Sequence, residues 1–106
     1  LLNGSYEVGL LAKAKVRIVF CEGCKWALRS GWYAQELFST FQGKLSAIEL
    51  VVGESGQFQV WANDQCLWDR KENHGFPEVA ELKRLLRDTI APDASLGHCE
   101  LDAEAD

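Results

Sequence analysis

Methionine is missing from these 106 residues, and proline occurs only twice, at Pro77 and Pro92. Without a methionine, Leu1 is expected not to be a translation start, and a presequence removed ahead of it stays open. Residues 8–14 have a faint A-x-A look. No basic segment precedes them, however, and their apolar run is too short for a signal peptide, so the cytoplasm is the expected compartment. No apolar run approaches the length that crosses a bilayer, and no membrane is expected as a partner. Clustered cations of the kind that hold phosphate are lacking too, which argues against nucleic acid. Hydrophobic residues make up 47% and charged residues 25%, the balance of a folded domain rather than of a disordered chain. A chain of this length buries a core without staples, so its four cysteines are not required as a disulfide framework. The net charge of -5 is unevenly placed. Asp93, Glu100, Asp102, Glu104 and Asp106 account for it, because the rest of the chain carries acids and bases in equal number.

Three parts follow: an N-terminal extension over 1–14, a folded domain over 15–92 and an acidic disordered tail over 93–106. Within the domain, Val16, Ile18 and Phe20 alternate with Lys15, Arg17 and Val19, the period of a half-buried strand. From residue 25 to 42 no proline intervenes. Ala27, Gly31, Ala34, Phe38 and Phe41 recur at steps of three and four beside Leu37, predicting a helix with Lys25, Arg29 and Glu36 on its far side. Strand character returns over 45–52, with Ile48, Leu50 and Val52 inward. Residues 58–62 and 65–68 flank Asn63 and Asp64, a hairpin. Strict alternation across it sets Trp61 beside Cys66 and Gln59 beside Trp68 on one face, with Val60 and Leu67 on the other. Residues 69–75 read as a polar loop. Pro77 is expected to open a second helix, with Val79, Leu82, Leu86 and Ile90 as its apolar stripe and Pro92 as its end. The fold class is α/β, β-α-β-β-β-α, with a mixed four-stranded sheet and both helices on one face.

Cys21-Glu22-Gly23-Cys24 falls between the first strand and the first helix. Unpaired backbone N–H groups at a helix start carry partial positive charge and favour a thiolate over a thiol. The thiolate is the attacking species, and a second thiol two residues away can resolve a mixed disulfide. Gly23 is expected to give the backbone the freedom that brings the sulfurs together. Glu22 opposes, since one negative charge disfavours another nearby. Two other readings stay open: half of a zinc site, and ordinary cysteines packed at a helix start. For zinc the other half is missing, because Cys66 and Cys99 are far apart in sequence and only His74 and His98 add nitrogen ligands.

Residues 19–26, the segment Ala34-Gln35-Glu36-Leu37, the run Leu67-Trp68-Asp69-Arg70-Lys71, and Gly75-Phe76-Pro77-Glu78 with Glu81-Leu82-Lys83 resemble the selenoprotein W-related family, also called the Rdx family. The resemblance spans about residues 16 to 92. It implies a thioredoxin-like fold and a cytosolic thiol–disulfide role linked to glutathione and redox homeostasis. In selenium-containing relatives the selenocysteine takes the second redox position, which matches Cys24 here. Ordinary thioredoxin logic gives attack to Cys21 instead, as the more exposed of the pair. Unlike thioredoxins proper, the chain has no proline ahead of Phe58, where the cis-proline that helps grip a substrate chain would stand. That leaves room for small thiols.

The reading is a thiol–disulfide redox protein with Cys21 and Cys24 as the reacting pair, glutathione or protein thiols and disulfides as partners, and no cofactor or metal. The alternative is a redox-sensitive interaction module with negligible turnover. His74 has two readings, an auxiliary proton donor or an exposed loop histidine. Trp61 and Trp68 on the uncovered sheet face, with Phe76, form a candidate surface for a protein partner or a second copy, unless residues 6–11 cover the indoles. Cys66 is expected to be a small hydrophobe of the sheet, and Cys99 a site of adventitious intermolecular disulfide formation. Trp26 and Trp32 are either helix packing or part of a rim around the cysteines.

Overall fold

The structure is a computed structural model and describes residues 13–90. The extension up to residue 12, the acidic tail with His98 and Cys99, and Pro92 lie outside the described residues. Strand β1 spans Ala14–Phe20, helix α1 Ala27–Thr40, β2 Leu45–Val52, β3 Phe58–Ala62 and β4 Gln65–Asp69. A short helix α2 covers Arg70–Asn73, and helix α3 covers Val79–Ile90. The sheet order is β2-β1-β3-β4, with β1 parallel to β2 and the other neighbours antiparallel. This is the mixed four-stranded α/β arrangement expected from the alternation of elements.

The period-2 pattern of β1 sends Val16, Ile18 and Phe20 to one face, where they pair across to Ala62, Val60 and Phe58 of β3. All six are buried, and α1 and α3 cover that face with Tyr33, Leu37, Leu82 and Leu86. Burial of such side chains is worth about 1.5–3 kcal/mol each, so this layer fixes the position of everything at its ends. The buried stripe of α1 is Ser30, Tyr33, Ala34 and Leu37, continued by Phe41. It is rotated from the expected one: Phe38 stands on the flank, and Glu36 turns toward α3 to pair with the buried Lys83 at 3.0 Å. Apolar residues lie on both sides of the true stripe, and tyrosine reads as amphipathic. Tyr33 is nevertheless fully buried, because its hydroxyl donates to the Pro77 carbonyl at 2.7 Å.

Ile48, Leu50 and Val52 point to the helix-bearing face, as expected, opposite Val16, Ile18 and Phe20. Leu50 and Val52 nonetheless stay 47% and 56% exposed, because β2 is an edge strand of the sheet. At the other end of the sheet, the hairpin turns at Asn63 and Asp64 as predicted, with Asn63 in the left-handed region.

The expected register of Trp68 needs correction. A bulge between Val60 and Trp61 leaves Trp61 opposite Cys66 but brings Trp68 opposite Val60, with Leu67 as the extra residue. Trp68 therefore belongs to the covered face and is 8% exposed, and its indole N–H donates to the Gly75 carbonyl at 2.8 Å. Of the two indoles assigned to the uncovered face, Trp61 alone is there, under the Arg17 guanidinium at 5.4 Å.

The polar stretch after β4 is not all loop. Asp69 caps α2 by accepting from the Lys71 N–H at 3.0 Å, and His74 closes the turn in the left-handed conformation. Pro77 precedes α3 rather than opening it. The first turn of α3 begins at the Glu78 carbonyl, which accepts from the Leu82 N–H at 3.0 Å. The stripe of Val79, Leu82, Leu86 and Ile90 packs on the core as expected.

Candidate redox site

β1 ends at Phe20, deep in the sheet, and delivers Cys21 to the end of the molecule where β3 begins and β4 finishes. Cys21 is buried at 3% exposure, while Cys24 is half-buried. The two are joined by a disulfide, with Cα atoms 5.3 Å apart. A turn over 22–25 makes this separation: the Lys25 N–H donates to the Glu22 carbonyl at 2.9 Å and the Trp26 N–H to the Cys21 carbonyl at 3.4 Å. The residue that takes the left-handed backbone is Lys25, with φ of 65°, so the freedom assigned to Gly23 is not what closes the turn.

The helix begins at Ala27, two residues later than expected, and Trp26 is its cap. Its first-turn amides have no acidic side chain near them in sequence, and the pair lies just ahead of them. The donor closest in hand is the Cys24 N–H, 3.1 Å from the Cys21 sulfur. A hydrogen bond of this kind favours charge on the sulfur that receives it. Exposure therefore runs opposite to the thioredoxin expectation. Cys24 is the accessible sulfur, and Cys21 is the sheltered one with a donor aimed at it.

The loop between α2 and α3 returns to the same end of the sheet and brings Phe76. Its ring lies 4.9 Å from Trp26 and 4.9 Å from Phe58, edge-on to both. Arg29 of α1 covers Phe76 at 4.2 Å, and Arg70 of α2 covers Trp26 at 4.9 Å and Phe76 at 5.7 Å. Burial pushes the Tyr33 hydroxyl above its ordinary pKa, and the neighbouring Arg29 opposes that rise. The Tyr33–Pro77 and Trp68–Gly75 hydrogen bonds hold the two ends of the loop.

Phe76 thus packs with Trp26 and Phe58 against the core rather than standing on the open sheet face, and Trp26 is helix-start packing. Trp32 is 48% exposed, tilted against Tyr33. His74, the cap of α2, is exposed and shares no hydrogen bond with either cysteine. Sequence reasoning set Arg29 on the far side of the helix and gave Arg70 no place near the aromatic rings. Only the run from Leu67 to Lys71, already noted as shared with a family, marked one of them.

Cys66 stands apart on the open face beside Trp61. Partial burial raises its thiol pKa above the ordinary value, and its sulfur donates to the Trp68 carbonyl at 3.4 Å. Among the described residues no three His, Cys, Asp or Glu side chains converge on a metal position.

The Rdx family model matches residues 15–88, nearly all of the sheet and of α3. The chain belongs to the Rdx family. Among solved structures, this Rdx chain is 40% identical to a selenoprotein W-related protein from Vibrio cholerae, with a TM-score of 0.72, covering 74% of this chain and 98% of that one. A Bordetella parapertussis protein is 43% identical with a TM-score of 0.71, covering 73% and 98% respectively. No curated protein matches the chain. The chain thus pairs Rdx family membership with a C-x-x-C pair whose two sulfurs are at disulfide distance. Among the described residues no helix is long and apolar enough to cross a membrane.

Proposed function

We propose that this chain is a cytoplasmic thiol–disulfide redox protein whose Cys21/Cys24 pair exchanges reversibly with glutathione or with protein thiols. The observation that carries the reading is the asymmetry of the pair: an accessible Cys24 sulfur bonded to a sheltered Cys21 sulfur that already receives an N–H.

An incoming thiolate attacks the Cys24 sulfur and forms a mixed disulfide there. The electron pair of the Cys21–Cys24 bond leaves on Cys21, where the Cys24 N–H stabilises it, and a better-stabilised thiolate leaves faster. A second thiolate then attacks the mixed disulfide. It releases a small disulfide and leaves both cysteines reduced once each has taken a proton. In the oxidising direction the Cys24 thiolate attacks the partner disulfide, and Cys21 resolves the adduct.

Steady-state turnover with glutathione and a small disulfide, followed by mass spectrometry of the protein, tests this. Turnover is expected to vanish in Cys24→Ser, whereas Cys21→Ser is expected to accumulate a single glutathione adduct on Cys24. An adduct found on Cys21 instead would reverse the order of attack. Stoichiometric oxidation with no turnover would make the pair a switch for partner binding and not an enzyme.

A further inference from the structure

Strand β2 is an edge of the sheet, and it lacks the features that keep most edges from pairing. From Ala47 to Val52 it is regular, with no proline, lysine or bulge. Its one charge, Glu49, is taken up on the open face by Lys15 at 2.9 Å. The other edge strand, β4, is short and pairs through a bulge. On the helix-bearing face Leu50 and Val52 are about half exposed, and so is Phe38 of α1. Glu36 turns toward α3, and Phe38 stands about 200° further round the helix, on the opposite flank. Gly31 shares that flank, and a Cβ there meets nothing within 4 Å. Lys44 lies just before β2 and Glu54 just after it. Both are exposed, and among the described residues neither side chain enters an ion pair.

We propose that two copies of this chain pair through β2, antiparallel about a twofold axis, joining their four-stranded sheets into one. Residues opposite one another in an antiparallel pair share a face, so the axis of a symmetric pairing passes through a residue. On Glu49 it would set like charges face to face. On Leu50 it sets Leu50 opposite Leu50 and Ile48 opposite Val52, an apolar row on the helix-bearing face, with Glu49 opposite Val51 on the other. The same antiparallel run brings Lys44 of each copy to the end where Glu54 of the other stands, so opposite charges close both ends of the row. That self-complementarity in shape and charge is what names a second copy as the occupant. Helix α1 packs over both β1 and β2. The two α1 axes therefore fall about two strand spacings, or about 9.6 Å, apart, within the roughly 8–10 Å of packed helices. They run antiparallel, and the half of one that carries Phe38 meets the half of the other that carries Gly31. Cys21 lies at the Val52 end of β2, so the two disulfides stand at opposite ends of the dimer, away from the axis. The pairing goes beyond the exchange chemistry and does not depend on it.

Sedimentation velocity of the full chain over a range of concentrations tests the pairing. Dithiothreitol is present, so that no intermolecular disulfide through Cys66 or Cys99 is counted. Wild type is expected to be a reversible dimer. Leu50→Lys puts two lysines on the axis and is expected to weaken the dimer about a hundredfold. Lys44→Glu is expected to weaken it about tenfold, and adding Glu54→Lys to restore most of that loss. Circular dichroism checks that each variant folds, and the charge exchange keeps the test open if Leu50→Lys does not. Hydrogen exchange of the 45–52 amides is expected to slow as concentration rises. A wild type that stays monomeric at every concentration overturns the proposal. Protection of β2 that does not change with concentration does so too, since it would assign the edge to another segment of the same chain. A dimer that survives Leu50→Lys and is lost in Trp61→Ala would put the interface on the open sheet face and equally overturn it.

Discussion

A lysine with left-handed backbone stands between the cysteine pair and the helix that follows. For an L-residue that conformation costs about 1–2 kcal/mol, while a glycine there would give back about 0.5–1 kcal/mol through its greater freedom in the unfolded chain. Lys25→Gly is therefore expected to stabilise the oxidised protein by about 0.5–1 kcal/mol. Gly23 does not have positive φ, and a Cβ there meets nothing within 4 Å. Gly23→Ala should then be tolerated, with a small gain of about 0.4–1 kcal/mol from the stiffer unfolded chain. Urea titrations of both variants check the pair. A loss in Gly23→Ala together with no gain in Lys25→Gly would mean the turn draws its freedom from the glycine after all. The motif C-E-G-C invites that second view, since glycine is the residue one associates with tight turns. Which position takes the unusual φ is set by how the chain must re-enter α1, and that is a property of the neighbouring elements.

At the scale of elements, what was legible is what depends on one residue's contrast with its neighbours. β1 alternates cleanly, and its burial follows the alternation throughout. The α3 stripe was correct for the same reason. The failures share a cause: each needed a partner element to be known. A single bulge between β3 and β4 moved Trp68 from the open face to the core, and nothing in residues 58–68 announces it. The stripe of α1 was misphased because α3 decides which flank of the helix is covered, and because Lys83 and Glu36 satisfy each other between them. In the candidate site, the cysteines were legible from their motif. Arg29 and Arg70 were not, because arginines on a helix start and in a polar run look solvated until the Phe76 loop folds over them.

Helix α2 was hidden for a related reason. Four residues of polar sequence carry no periodicity, and only the cap shows that they are a helix. Asp69 makes that cap, and its carboxyl is held below the ordinary range, first by the Gln59 side-chain amide at 2.9 Å and then by the Lys71 and Glu72 N–H groups. A carboxyl with a lowered folded pKa contributes stability above its unfolded pKa and loses it as pH falls through the folded value. The stability gap between wild type and Asp69→Asn should thus be widest at neutral pH and close progressively below about pH 4. Urea midpoints measured from pH 7 down to pH 3 decide this. A gap that does not change with pH would show that the charge on Asp69 contributes nothing to capping α2.

For the molecule as a whole, a redox protein must keep its fold in both states of its cysteines. The core here meets that demand by construction: the buried cluster from Ala14 to Leu86 draws on all four strands, α1 and α3, and the buried Cys21 follows directly on Phe20. The disulfide closes a loop with a sequence separation of only 3. In the chain-entropy account so small a loop constrains the unfolded state by about 2 kcal/mol at most. The Cys24 N–H already points at the Cys21 sulfur in the disulfide, and on reduction it faces a sulfur that can carry negative charge, which offsets part of that loss. Reduced and oxidised forms are accordingly expected to differ by less than about 2 kcal/mol in unfolding free energy. Through the thermodynamic cycle that joins folding to reduction, this bounds the potential of the folded pair to within about 40 mV of the same pair in the unfolded chain. Urea unfolding with and without dithiothreitol gives the first quantity, and redox titration against glutathione buffers with native and denatured protein gives the second. The two must agree, because they are two sides of one cycle. A reduced form that unfolds several kcal/mol more easily would make Cys21–Cys24 a structural staple, and a staple of that strength is incompatible with repeated exchange at Cys24.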